Sequence, residues 1–249
     1  MARSDFRSPR LYIDGPLGAG AAVPLDRDRS NYLGNVLRLG PGDGVLVFNG
    51  RDGEWRAAIE GGKRPTALRV DARVREQTSS ADLRYVFAPL KHARLDYMVQ
   101  KAVEMGASGL QPVLTRFTQV ARVNLERMQA NAIEAAEQCG ILSLAAIAEP
   151  LPLDRFLSER DANRLLIFCD EEAEVANPVD ALATSGNGKS GIDVLIGPEG
   201  GFAPEERDLL LRQSRVHRLS IGPRILRADT AAVAALAVVQ ATLGDWDKG

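Results

Sequence analysis

Histidine and cysteine are scarce in this 249-residue chain, with two of each, and their scarcity argues against several kinds of chemistry. His92 and His217 do not stand at metal-ligand spacing with each other or with a cysteine, so no metal site is expected. Cys139 and Cys169 lie far apart in the sequence, which argues against a disulfide framework. The reducing cytoplasm is therefore the expected compartment.

Long apolar runs and several catalytic motifs are also missing. No run approaches the ~20 residues that span a bilayer, and the amino terminus lacks the apolar core of a signal peptide, so no membrane partner is expected. No G-x-S-x-G elbow occurs, which disfavours Ser-His-Asp hydrolysis, and no G-x-G-x-x-G turn opens the α/β domain, which disfavours dinucleotide binding. The segment GNGKS (186–190) resembles a phosphate-binding loop, but Ala183 stands where that motif requires glycine.

What is present is an ordinary composition for a globular protein, with 45% apolar and 26% charged residues. The net charge of −2 conceals an asymmetry between the two ends of the chain. Residues 1–75 carry 13 Lys or Arg against 9 Asp or Glu, and the remainder carries 18 against 24. A locally basic first part is compatible with a phosphate-bearing partner, and equally with a solvated surface.

Residues 1–75 predict a small β-rich domain, because short apolar segments alternate there with Gly, Asp and Pro turn signals. A helix is predicted over Arg29–Leu39, stopped by the Gly-Pro-Gly sequence that follows. The polar segment Arg75–Asp82 indicates a domain boundary. The strand candidates are Arg10–Ile13, Gly44–Asn49, Glu54–Glu60 and Thr66–Val74.

Residues 76–249 predict an α/β domain with a largely parallel sheet, because strand and helix patterns alternate along them. Pro112 indicates that its strand is an edge or has an irregular end, and Asn124 is placed to cap the next helix. The strand candidates are Arg84–Leu90, Gly109–Leu114, Arg164–Cys169, Asp193–Ile196 and Val216–Ile221. The helix candidates are Arg94–Met105, Asn124–Gln138, Pro204–Ser214 and Thr230–Leu243, with a loop over Asp170–Gly191.

Two loops that contain Gly-Pro follow the last two strands and each precedes a helix. Open α/β sheets hold ligands in loops of this kind at the carboxyl ends of their strands, although two plain turns are the alternative. The second loop contains Arg224, Arg227 and Asp229, just before a helix N-terminus that favours an anionic or polar ligand. Asp229 or Thr230 is alternatively a simple N-cap.

Five motifs carry a resemblance to a known family: NYLGNVLRLGPGD (31–43), VQKAVEMG (99–106), AIEAAEQCG (132–140), LIGPEGGF (195–202) and IGPRILRADTA (221–231). Their order and spacing resemble the 16S ribosomal RNA uridine-N3 methyltransferases, the RsmE type within the SPOUT superfamily. The resemblance implies a PUA-like β-barrel over residues 1–75 and a knotted α/β methyltransferase domain over 76–249. It also implies a homodimer, S-adenosylmethionine as the cofactor and 16S ribosomal RNA of the small subunit as the partner.

The resemblance also assigns roles to individual residues. Cofactor contacts are implied for Ile196, Gly197, Gly200 and Gly201 in the first loop and for Ile221, Gly222, Leu226 and Arg227 in the second. RNA contacts are implied for Arg10, Arg38, Lys101, Glu104 and Gln138.

The implied reaction is an in-line displacement at the sulfonium methyl group, with uracil N3 as the nucleophile. Since N3 must lose its proton, we expect a carboxylate, Glu134 or Asp229, to take or orient it. Arg224 or Arg227 would then stabilise the charge that develops on the uracil carbonyls. The family usually has Glu where this chain has Asp229, which leaves that role open. The alternative functions are a non-catalytic RNA-binding assembly factor and a methyltransferase of another RNA.

Overall fold

The computed structural model describes residues 8–62, 64–120, 122–185 and 190–246. Their contacts divide into two compact units. Unit 1 contains the residues up to Ser79 together with Ala136–Leu144, and unit 2 contains Ser80–Ala135 together with the residues from Ala145 onward. The amino-terminal residues 1–7 and most of the phosphate-loop-like segment, residues 186–189, lie outside the described residues. No helix in the described part of the chain is long and apolar enough to cross a membrane.

Unit 1 is built on a curled five-stranded sheet with strand order β1-β3-β4-β5-β2, so that β1 and β2 are its two outer strands. The strands are β1 (Arg10–Tyr12), β2 (Ala22–Pro24), β3 (Gly44–Phe48), β4 (Glu54–Gly61) and β5 (Pro65–Arg75). Pairing is antiparallel except between β1 and β3. Three register shifts between β4 and β5 curl the sheet, because a bulge strengthens the local twist. Alternate residues of β3, β4 and β5 form the core.

The helical segment of unit 1 differs from the prediction over Arg29–Leu39. Helix α1 (Arg27–Asn31) begins two residues earlier, because Asp26 caps it by accepting a hydrogen bond from the Arg29 amide at 2.8 Å. A π-helical turn over Tyr32–Val36 follows and buries Leu33 in the core. The short strand β2, which has three residues, was not predicted.

Unit 2 is a predominantly parallel α/β structure, as predicted. Its strands are β6 (Leu83–Phe87), β7 (Gly109–Leu114), β8 (Ala146–Ile147), β9 (Leu151–Pro152), β10 (Leu165–Cys169), β11 (Ile192–Ile196) and β12 (Val216–Leu219). Its helices are α2 (His92–Glu104), α3 (Leu125–Cys139, whose last turn belongs to unit 1), α4 (Leu153–Glu159), α5 (Pro178–Ala183), α6 (Pro204–Leu211) and α7 (Ala228–Leu243). The strand order is β12-β10-β11-β6-β7-β8, with β9 also paired to β7. The knot that the family resemblance implies stays a prediction.

Several boundaries in unit 2 differ from the prediction for local reasons. Helix α5 and the short elements β8, β9 and α4 were missed, because none is long enough to show a periodic pattern. Strand β7 is not an edge. Pro112, which has no amide hydrogen, lies between the residues that pair with β8 and those that pair with β9. Asn124 caps α3 as predicted, by accepting a hydrogen bond from the Arg127 amide.

A buried ion-pair cluster stabilises unit 1 and corrects the prediction for Arg10. The Arg10 side chain is 3% exposed and donates to Glu54 at 2.5 Å. Arg75 donates to the same carboxylate at 2.7 Å and to the Gly140 carbonyl at 2.8 Å. Arg10 is therefore occupied inside unit 1 and is not available to an RNA phosphate. Burial alone would raise the pKa of Glu54, but hydrogen bonds from Arg75 and Arg10 outweigh it and lower that pKa.

We expect Glu54→Gln to lower the free energy of unfolding by about 3–5 kcal/mol at pH 7, because two arginines would face no charge. Because the folded-state pKa of Glu54 is depressed, its contribution is present above the ordinary value of 4.5 and is lost as the pH falls through the folded-state value. The difference between wild type and variant in urea titrations should therefore shrink below about pH 4. Glu76→Gln, in an exposed pair with Arg73, is the control and should change stability by less than about 0.5 kcal/mol. An equal effect of both variants would contradict a structural role for the buried cluster.

Candidate functional site

Three loops at the carboxyl ends of adjacent parallel strands enclose a cavity in unit 2. The first loop (residues 197–203) follows β11, the second loop (220–227) follows β12, and the third loop (170–175) follows β10. Because β10 lies between β11 and β12, the three loops emerge side by side at one edge of the sheet. The cavity that they line has a volume of about 430 Å³.

The structure brings all eight residues of the predicted cofactor set to this cavity. They are Ile196, Gly197, Gly200, Gly201, Ile221, Gly222, Leu226 and Arg227. Arg224 lines it as well, and both arginines are exposed at its mouth. Their contacts with a ligand stay predictions, but their convergence in one cavity is a property of the fold.

Two glycines in these loops are required for different reasons. A Cβ on Gly197 would lie 2.5 Å from the ring of Phe202, which packs edge-on against Phe168 at the end of β10. Gly197 therefore makes room for a side chain of its own loop. Gly222 has φ +90°, where other residues are strained, and a Cβ there would meet nothing within 4 Å. The second loop consequently turns with its backbone facing open space.

The third loop supplies a polar wall that sequence reasoning missed. Asp170 is buried and accepts hydrogen bonds from Arg207 of α6 at 2.9 Å and from Arg218 of β12 at 2.7 Å. Glu171 and Glu172 complete the wall, and burial raises the pKa of the neighbouring Cys169 thiol to about 12, so the thiol stays neutral. The signal was available in the sequence, since three acidic residues directly follow a buried strand of a parallel sheet.

Arg94 joins the first loop to the beginning of α7. Its Nε donates to Asp229 at 2.9 Å, and its Nη1 pairs with Glu199. The Arg94 hydrogen bond holds the pKa of Asp229 below its ordinary value, so this residue is a stable carboxylate at neutral pH and a weak base. Asp229 is also not an N-cap, because α7 begins at Ala228 and the capping position is Arg227. Sequence reasoning named Asp229 but missed Arg94.

The remaining predicted residues do not line the cavity of this chain. Glu134 on α3 is exposed and accepts a hydrogen bond from Gln100 at 3.3 Å. Lys101 and Glu104 on α2 form an ion pair at 2.7 Å. Gln138 is exposed in the part of α3 that belongs to unit 1. Arg38 is exposed after the π-helical turn of unit 1, with φ +58°. No cluster of His, Cys, Asp or Glu within the described ranges is arranged to hold a metal ion.

Models of known protein families match both parts of the chain. A family model for an RNA methyltransferase domain matches residues 77–240, and one for an RNA methyltransferase PUA domain matches residues 25–68. Ribosomal RNA small subunit methyltransferase E of Rickettsia conorii is 32% identical over 93% of this chain and 94% of its own length. The corresponding Synechocystis enzyme is 31% identical over 90% of this chain and 74% of its own.

Solved structures with bound cofactor share the fold. The Legionella pneumophila methyltransferase Lpg2936, in complex with SAM, has a TM-score of 0.81 and 31% identity, covering 96% of this chain and 99% of that one. Ribosomal RNA small subunit methyltransferase E of Neisseria gonorrhoeae, bound to S-adenosyl methionine, has a TM-score of 0.83 and 26% identity, covering 96% and 100%.

We expect Gly197→Ala to destabilise the protein by about 1–3 kcal/mol in urea unfolding, because the new methyl group overlaps the Phe202 ring. In a Phe202→Ala background the overlap is gone, so the same substitution should cost much less, and the double-mutant cycle should show coupling. Gly44→Ala, whose Cβ would meet nothing within 4 Å, is the control. Additive effects of the two substitutions on stability would show that the Phe202 ring is not the reason why residue 197 must be glycine.

Proposed function

The chain belongs to the RNA methyltransferase family, and from that membership we propose that it methylates N3 of a uridine in 16S ribosomal RNA, using S-adenosylmethionine. The observation that carries the proposal is the convergence of both predicted cofactor loops in one cavity at the carboxyl edge of the sheet. The enzyme would act in the cytoplasm on the small ribosomal subunit.

The cavity suits S-adenosylmethionine in size and chemistry. Its volume of about 430 Å³ falls within the range of roughly 300–1,000 Å³ that is usual for small-molecule sites. The second loop turns at Gly222 beside open space, and the apolar side chains of Ile221 and Leu226 line the same cavity. The acidic third loop offers carboxylate oxygens to hydroxyl and ammonium groups. When bound, this cofactor supplies an electrophilic methyl group.

Arg224 and Arg227 are the cations that we assign to the uracil. Both are exposed at the mouth of the cavity, where their guanidinium groups can donate to carbonyl oxygens as N3 loses its proton. Alignment of the base with the methyl group should contribute most of the acceleration, since orientation recovers roughly 7–11 kcal/mol in well-ordered sites.

The two candidate carboxylates now have different roles in the proposal. Asp229 is paired with Arg94, so we assign it to joining the first loop to the beginning of α7 rather than to accepting the proton. Glu134 remains the group that takes or orients the N3 proton. Because it does not line the cavity of its own chain, a second copy of the chain would bring it there.

A homodimer is consistent with the surface of α7. The helix is apolar on nearly all sides, yet only the side with Ala232, Ala235, Leu236 and Val239 is buried. Helices of this composition are normally covered all round, and the opposite side, which includes Val233 and Val238, is half-buried. We propose that a second copy of the chain covers this side of the helix.

We also propose that the two domains comprise residues 1–75 and 76–249. The proposed RNA contacts are Arg38, Lys101, Glu104 and Gln138.

Mass spectrometry of 16S ribosomal RNA nucleosides tests the function directly. We expect 3-methyluridine to disappear when the gene is deleted and to return when the purified protein and S-adenosylmethionine are added to small subunits from the deletion strain. Calorimetry should show that the protein binds the cofactor. Binding of RNA without heat from the cofactor would support an assembly factor, and methylation of a different RNA would redirect the proposal.

We expect Glu134→Gln to lower kcat by roughly 10²-fold or more, with little change in cofactor affinity, because it removes the proton acceptor. Asp229→Asn should instead weaken cofactor binding, since Arg94 loses one of its two anchors. Glu126→Gln, an exposed substitution on the same helix as Glu134, is the control. Wild-type kcat in Glu134→Gln would remove that carboxylate from the mechanism.

A further inference from the structure

A fourth loop reaches the same edge of the sheet and has no role in the function described so far. It follows β7 and begins with a closed turn, in which the Thr118 amide donates to the Thr115 carbonyl at 3.1 Å. The Thr115 amide donates to the Thr118 hydroxyl oxygen at 2.8 Å, and the two hydroxyl oxygens lie 2.9 Å apart. The backbone on either side of residues 116 and 117 is therefore fixed.

Glu206 ties this turn to the first loop of the cavity. One of its carboxylate oxygens accepts the Arg116 amide at 2.7 Å, and the other accepts the Ala203 amide at 3.0 Å. Glu206 lies in the first turn of α6, where a carboxylate is favoured by the exposed helix amides. The turn and the first loop are thus both hydrogen-bonded to the carboxylate of Glu206.

Phe117 is the side chain that this arrangement presents. It is 44% exposed, although an aromatic ring without another use is normally buried in a core. A Cβ on Gly200 would lie 3.2 Å from the Phe117 Cβ and 3.6 Å from its Cγ, so the ring stands directly against the first loop. Arg116, next to it, is also exposed. An exposed apolar ring and an exposed cation thus stand beside Gly200, which lines the cavity.

We propose that Phe117 is the platform on which the target uracil stacks, with Arg116 binding an adjacent phosphate. The inference rests on the proposed function and adds a substrate site to it. A base that is to react must leave its stack in the RNA, and a pre-ordered aromatic face replaces the lost stacking. The ring also orients the pyrimidine plane, which an in-line transfer to N3 requires.

The test compares Phe117→Ala, Phe117→Leu and Phe117→Trp with wild type on small ribosomal subunits. Stacking on an aromatic ring is worth roughly 5- to 150-fold per base, so Phe117→Ala should lower kcat/KM for the subunit by that factor. Phe117→Leu keeps an apolar side chain against Gly200 but has no π face, so its kcat/KM should be reduced by a similar factor. The kcat/KM of Phe117→Trp should stay within about threefold of wild type. The Kd for S-adenosylmethionine, measured by calorimetry, should change less than twofold in all three.

A second measurement separates base stacking from packing. Two short RNAs are titrated against wild type and Phe117→Ala in the presence of S-adenosylhomocysteine. One RNA contains the unmodified target uridine, and the other has an abasic site at that position. The substitution should weaken binding of the uridine RNA and leave binding of the abasic RNA unchanged.

The proposal is overturned if Phe117→Leu has the wild-type kcat/KM, or if Phe117→Ala weakens binding of the abasic RNA as much as binding of the uridine RNA. It is also overturned if sedimentation shows that a changed oligomeric state accounts for the loss of activity in Phe117→Ala. Failure of the proposed function has a different signature, because wild type would then form no 3-methyluridine at all.

Discussion

Parallel pairing is the constraint on which the rest of unit 2 depends. Every strand in a parallel sheet ends at the same edge, so the loops after β7, β10, β11 and β12 emerge together although they are separated by up to about a hundred residues of sequence. The cavity is therefore a consequence of strand order rather than of any one motif. Its residues come from segments that have no local reason to be neighbours.

Convergence alone does not give a defined cavity, because loops at a sheet edge are held by few backbone contacts. Here three side chains supply the missing connections. Asp170 binds arginines from α6 and β12, Arg94 joins the first loop to α7, and Glu206 joins the first loop to the turn that carries Phe117. Each is a charged hydrogen bond in a partly buried setting, where such bonds are stronger than on an open surface. These carboxylate–donor contacts join the loops of the site to one another and to α2, α6 and α7.

The sequence was sufficient for the features that depend on local pattern. The alternation of strands and helices predicted the parallel sheet, and Asn124 predicted a cap. The two Gly-Pro loops predicted a ligand site at the carboxyl ends of their strands, and the family resemblance named the eight residues that the cavity gathers. It failed where a residue's partner lies far along the chain. Arg94 meets Asp229 across 135 positions, and Arg10 meets Glu54 across 44, so neither contact leaves a spacing that can be recognised. The π-helical turn at Tyr32–Val36 was missed for a similar reason, since its buried Leu33 is dictated by the sheet beneath it.

Arginine shows why a residue type predicts so little without its partners. At the amino-terminal edge of the sheet, Asp193 is fully buried and accepts hydrogen bonds from Arg84 and Arg164 at 2.8–2.9 Å. Those arginines hold strands together, as Arg10 does in unit 1. A guanidinium group whose charge is already neutralised by a carboxylate attracts phosphate only weakly. Arg38, Arg224 and Arg227 are different, because their side chains are exposed on loops rather than bound inside a strand. The basic excess of residues 1–75 is thus partly neutralised inside unit 1, where Arg10 and Arg75 both pair with Glu54.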